Sequence, residues 1–195
     1  MKILIDNGHG YNTPGKCSPD GSLREYKYTR EIASRLVEKL RAANYDADLL
    51  TPETYDVSLT TRTRRANSVA RLAGSKNVIV ISIHNNAAGS KGQWMKARGW
   101  SVHVSLNASK SSKQLASCLA KAAAANGQTV RRPLPTQDYW PQNLAICRDT
   151  ICPAVLTENL FQDNREDTQY LLSEAGKEAI VRLHFDGITN YIKGV

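Results

Sequence analysis

The sequence predicts an α/β fold: a single domain over residues 1–195, with a mostly parallel sheet flanked by helices on both faces. Three observations carry this. Short apolar runs alternate along the chain with longer helical segments, the pattern of strand–helix–strand units. The run Val-Ile-Val-Ile-Ser-Ile at residues 78–83 is apolar at all but one position, which suits a strand covered on both faces. No internal repeat, low-complexity linker or composition break interrupts the chain, so one domain from end to end is the simplest account.

The elements follow in order. Residues 2–6 are a short apolar run closed by an acid, a buried strand pattern. A Gly/Pro/Asn-rich loop spans residues 7–22. In residues 25–43, Ile32, Leu36, Val37 and Leu40 recur at helical spacing. Residues 46–50 read as a short strand ending before Pro52, and residues 59–73 as a helix stopped by Gly74. After the buried strand at 78–83, residues 88–98 are a polar, glycine-rich loop. Residues 100–106 alternate as a strand, and residues 111–125 form a helix that stops at Asn126-Gly127. Residues 144–147 and 154–157 are short apolar runs. The stretch 166–192 is helical, with a break expected near Gly176 or Gly187.

Composition narrows the function classes. Hydrophobic residues make up 41% and charged residues 23%, with a net charge of +8. That balance belongs to an ordinary globular domain with a basic surface, one that attracts anionic partners. The densest basic groups, Arg62, Arg64 and Arg65 and later Arg131 and Arg132, read as a solvated helix face and a loop. No aromatic residues interleave with them as a single-strand stacking platform needs, so nucleic acid is not an expected partner. The apolar run after Met1-Lys2 is too short for a signal-peptide core. No window reaches the roughly 18 apolar residues of a membrane helix. The expectation is synthesis in the cytoplasm without a signal peptide, and no stable membrane insertion. The four cysteines form no C-x-x-C pair, and Cys147 and Cys152 lack zinc-knuckle spacing. Cys118 lies in an Ala-rich helical stretch and reads as a small core residue.

In open α/β sheets, ligands bind at the carboxyl ends of the strands. Past the first strand stands Asp6-Asn7-Gly8-His9-Gly10, past the strand at 78–83 stands His84-Asn85-Asn86-Ala87, and past the last stands Glu158-Asn159. Glu25 opens the first long helix, whose N-terminus returns to the same edge. Singly, each has an ordinary reading. A lone histidine is more often a surface or hydrogen-bonded core residue than a ligand, and acids are common in a helix's first turn. His9 stands apart because Gly8 and Gly10 free its backbone and leave the imidazole uncrowded. His84 and Glu158 each end an apolar run, so each sits at the rim or is buried with a partner. Jointly, two imidazoles and a carboxylate match zinc's use of three protein ligands and one open position. A second carboxylate would then move protons for a metal-activated water. His9, Glu25, His84 and Glu158 supply that set, with strand-end packing as the alternative. Asp6 and the backbone around Asn85 are candidates to hold the ligands from behind, or simply to cap strand ends. His103 and His184 read as structural.

At these residues the sequence resembles the zinc-dependent N-acetylmuramoyl-L-alanine amidases of the Amidase_3 type, across essentially the whole chain. The opening I-L-I-D-N-G-H-G is similar to the family's strand followed by D-x-G-H-G. L-R-E-Y-K-Y-T resembles the ligand glutamate at the start of the first helix, and S-I-H-N-N-A resembles S-x-H-x-N-A. P-A-V-L-T-E-N-L-F-Q-D-N resembles P-x-x-L-x-E-x-x-F-x-x-N, the segment of the catalytic glutamate. L-T-T-R-T-R-R-A-N has the family's R-x-x-x-A-N look at Arg62, Ala66 and Asn67.

The resemblance implies a twisted six-stranded sheet and one zinc ion held by His9, Glu25 and His84. It implies Glu158 as general base and acid in hydrolysing the amide between N-acetylmuramic acid and L-alanine of the peptidoglycan stem peptide. A monomeric lysin that reaches the cell wall after release is the corresponding expectation, with no separate wall-binding domain and no helix blocking the groove. Asn159-Leu160 stands where the family often has glycine-rich phrasing, and Tyr11 where a further glycine is common; both bear on the groove and not on the metal site. Trp94, Tyr139 and Trp140 are candidates to line that groove, or ordinary loop packing. A zinc peptidase acting within the stem peptide and a non-catalytic wall-binding module are the competing readings.

Overall fold

In the computed structural model, residues 1–89 and 92–194 are described. The apolar runs form the strands they predict. β1 (Lys2–Asn7), β2 (Asp46–Leu49), β3 (Val78–Asn86) and β6 (Ala154–Phe161) pair in parallel, and β4 (Ser101–Val104) pairs antiparallel with β6. The two-residue β5 (Trp140–Pro141) pairs in parallel with β4. The sheet order is β2-β1-β3-β6-β4-β5, so the expected six strands are present and the sheet is mostly parallel.

Alternation along β3 shows how both faces are filled. Ile79, Ile81 and Ile83 join the larger core with α1 (Glu25–Ala42), α3 (Lys110–Ala125), α5 (Arg165–Leu172) and α6 (Glu174–Lys193). Val78 and Val80 join a smaller core with α2 (Leu59–Ala73) and α4 (Ala145–Arg148). The apolar run at 144–147 is therefore a single helical turn that buries Ile146 and Cys147. Because side chains alternate across a strand, His84 continues the row of Val78 and Val80, and Glu158 the row of Ala154 and Leu156. Both thus point to the α2/α4 face, one strand apart. Among the described residues, no helix is long and apolar enough to cross a membrane.

Two local expectations change. The last helical stretch breaks at Ser173, whose hydroxyl caps α6 by accepting from Gly176 N–H at 3.0 Å. Neither glycine marks a break. A side chain on Gly176 would overlap the Tyr170 carbonyl, and one on Gly187 would lie within 2.8 Å of Leu119, so both allow close packing. The strand at 154–157 also runs on to Phe161. It absorbs a register shift between the His84–Glu158 and Asn86–Phe161 pairs, with Leu160 at φ 63°.

His184 is structural, as expected. It is fully buried in α6, where Nδ1 donates to the Ile180 carbonyl at 2.7 Å and Nε2 accepts from the Thr157 hydroxyl at 2.9 Å. Burial pushes its pKa down from 6.5 to about 4. The unfolded chain therefore binds this proton more readily than the folded one. The stabilising contribution is complete above pH 6.5 and is lost as pH falls toward about 4, amounting to about 3 kcal/mol. Urea unfolding should show stability declining over that window, and His184→Gln, uncharged throughout, should flatten the decline. An equally steep decline in the variant would assign the acid sensitivity elsewhere.

Candidate metal centre and active site

The loop after β1, the start of α1 and the end of β3 meet at one point. There the ligand atoms of His9, Glu25 and His84 all lie within 4.8 Å of one another. Glu25 Oε1 is 3.4 Å from His9 Nε2 and 3.2 Å from His84 Nδ1. Tetrahedral ligands about 2.0–2.1 Å from one ion are about 3.3–3.4 Å apart, so this spacing fits a shared cation. Glu25 is 1% exposed yet fully partnered: Oε1 accepts from the Asn85 N–H at 2.9 Å and Oε2 from Gln162 Nε2 at 3.1 Å. Burial alone would raise its pKa, but the hydrogen bonds and charge of His84 and His9 outweigh it and hold the carboxyl well below its usual range. Around His84, burial opposes the charged form, while Glu25, Glu158 and Asp6 together raise its pKa. The cluster is a place where positive charge is favoured.

The glycines beside His9 act differently from the expectation. His9 itself takes the left-handed backbone conformation, at φ 61°, and its glycine neighbours supply space. A side chain on Gly8 would sit within 2.8 Å of three atoms of the His84 ring, and one on Gly10 would overlap the Tyr55–Asp56 backbone. Two arginines clasp the His9 carbonyl, Arg30 from α1 at 2.9 Å and Arg62 from α2 at 3.4 Å. Arg62 is therefore no part of a solvated helix face: it is 2% exposed and pairs with Asp6 at 2.6 Å. Asp6 accepts from Arg62, Thr51 and Ser82 and supports the loop. Among the described residues it accepts from no imidazole.

Glu158 is half-buried, directly opposite His84 in the β3–β6 pairing. Its Oε2 is buried with no partner among the described residues. Burial raises its pKa to about 7; His84 opposes the rise and Glu25 adds to it. A carboxyl poised there both takes and gives protons near neutrality. A cavity of about 500 Å³ opens beside His9 and His84, with Asp56, Leu59, Leu144 and Ile146 in its walls. The slightly larger cavity around Arg98, Gln128 and Tyr170 includes none of these four residues.

All four predicted site residues thus come together, three as a cluster able to hold a metal ion and Glu158 beside it. Sequence reasoning missed Gln162 and Arg30. Neither had a local signal: Gln162 follows β6 in the polar run Gln162-Asp163-Asn164, and the partners of Arg30 are backbone carbonyls. Of the aromatic candidates, Trp140 stacks on His103 with ring centres 6.5 Å apart, and Trp94 lies under Arg165.

The chain is 30% identical over 192 residues to the N-acetylmuramoyl-L-alanine amidase CwlM of Bacillus licheniformis, covering 96% of this chain and 67% of that protein. It is 25% identical over 196 residues to the endolysin of Bacillus phage SPP1, covering 97% and 65%. The chain thus spans about two thirds of the length of these relatives. The fold matches the crystal structure of the N-acetylmuramyl-L-alanine amidase of Mycobacterium smegmatis with a TM-score of 0.84, over 100% of this chain and 98% of that one, at 18% identity. Residues 3–190 match the family described as N-acetylmuramoyl-L-alanine amidase. With the match running from β1 into α6, the chain belongs to the N-acetylmuramoyl-L-alanine amidase family.

Proposed function

We propose that this chain hydrolyses the amide between N-acetylmuramic acid and the L-alanine of the peptidoglycan stem peptide, using one zinc ion held by His9, Glu25 and His84. The observation that carries the reading is the three-residue ligand cluster with a carboxyl of near-neutral pKa on the adjoining strand. The donor set, two imidazoles and one carboxylate, fits zinc and leaves a fourth position for water or substrate. When bound, the ion supplies Lewis acidity toward a water and the scissile carbonyl. Asn85 and Gln162 hold Glu25 in place for it. Glu158 accepts a proton from the attacking water on its carboxylate, then gives one to the alanine nitrogen as the C–N bond breaks. The net charge of +8 favours approach to an anionic wall polymer.

Digestion of purified peptidoglycan, with metal content measured on the same sample, tests the whole reading. Each cleavage should expose one alanine amino terminus and leave the sugar chain intact. Amino termini from any other residue of the stem peptide would make the chain a peptidase instead.

Gly8 offers a separate check on the ligand set. Gly8→Ala should push the His84 ring off its position and lower zinc affinity about 10–100-fold, as loss of ligand orientation does elsewhere. Calorimetric titration of the metal-free protein reads this directly. Unchanged affinity would remove His84 from the set.

A further inference from the structure

On the β4–β5 side of Glu158, the chain places a cation on an aromatic shelf. Arg131 is anchored by its backbone: its N–H donates to the Trp100 carbonyl at 2.7 Å, and its own carbonyl accepts from Trp140 Nε1 at 3.1 Å. Its guanidinium carbon lies 4.8 Å from the centre of the Phe161 ring and 5.9 Å from that of Trp140. Those faces fix an otherwise flexible side chain. Strand register ties the shelf to the reacting centre. Ser101 is paired with Glu158 and His103 with Trp140, and the last two rings are stacked. The charge of Arg131 reaches Glu158, where it favours the ionised form.

Among the described residues, Arg131 forms no ion pair, while its neighbour Arg132 is held by Asp138 at 3.1 Å. A half-buried guanidinium, fixed by aromatic faces and lacking an internal acceptor, is built to receive a planar anion from outside the chain.

We propose that Arg131 is a specificity-determining residue that receives a carboxylate of the stem peptide, on the amine side of the amide being cleaved. This rests on the amidase reading above. The cavity between α2 and α4 then lies toward the glycan, which gives the substrate one direction across the site.

Two soluble substrates test it: muramoyl-L-alanyl-D-glutamate with its γ-carboxyl blocked as the amide and its α-carboxyl free (the acid), and the same compound with the α-carboxyl amidated as well (the amide). The wild type should prefer the acid, and added salt should shrink that preference. Arg131→Gln should lower kcat/KM on the acid about 10–100-fold, the usual cost of losing a hydrogen bond to a charged group, and change the amide by less than about threefold. Arg131→Lys keeps the charge without the fork and should recover part of the loss. The amide serves as an internal check on folding. An equal fall on both substrates would make Arg131 merely structural, and a wild type indifferent to the carboxylate would overturn the inference while leaving the amidase intact. A wild type that cleaves neither substrate and releases no alanine amino terminus from whole peptidoglycan overturns the amidase reading and this inference with it, and one that cleaves only peptidoglycan is given the same acid and amide pair on longer glycan-linked stem peptides.

Discussion

Glu158→Gln should abolish most wall hydrolysis while leaving the metal in place, slowing the chemical step about 10²–10⁴-fold. The two effects separate because Glu158 stands outside the cluster of His9, Glu25 and His84 proposed to hold the metal. Glutamine keeps the shape of the side chain and removes only its ability to exchange a proton. The raised pKa, about 7, comes chiefly from burial, and a cation beside His84 would draw it lower. Metal content and turnover, measured on one preparation, decide the matter. A variant within a few-fold of wild type would strip Glu158 of the role, and a variant that loses its metal would make it a fourth ligand.

Arg62→Met should cost about 3–5 kcal/mol of stability, because it leaves the Asp6 carboxylate buried without its counter-charge. The two side chains are 3% and 2% exposed. Arg62 also donates to the carbonyls of Asn7 at 2.6 Å and Val57 at 2.7 Å. Methionine fills part of the volume and satisfies none of these groups. Urea unfolding measures the loss, and pairing the change with Asp6→Asn should recover part of it by removing the stranded charge. A single-variant cost under about 1 kcal/mol would place this pair with exposed ion pairs, which contribute little.

The sheet was legible wherever one physical rule acted alone. The run at 78–83 reads as β3 because both faces are covered, so every position but Ser82 is apolar. The helix over 25–43 is legible because Ile32, Leu36 and Leu40 share one buried stripe. β5 left no trace, since two residues cannot show alternation. The continuation of β6 past Thr157 was hidden by its own residues: Glu158 and Asn159 are polar in a strand, and the shift at Leu160 breaks the period. The break at Ser173 was misplaced because a glycine serves equally to end a helix or to admit a neighbour.

The site divides in the same way. His9, His84 and Glu158 were visible as polar residues at the ends of apolar runs. Glu25 was ordinary by itself, as an acid in a helix's first turn, and entered the set through the return of that helix's N-terminus to the edge where the strands end. The support behind them was largely invisible. Arg30, Arg62 and Gln162 act across the fold on backbone carbonyls and on a buried carboxylate, and no local pattern reports such partners.

The bonds that aim Glu25 span 60 and 137 residues along the chain. Contacts so distant in sequence form late, because the entropy of closing long loops comes before their reward. A chain in which β6 has not yet docked on β3 lacks Gln162 behind Glu25, and it also lacks Glu158 opposite His84. On the proposed function, partly folded chains should therefore be catalytically silent, with hydrolytic competence arriving on closure of the central strand pair.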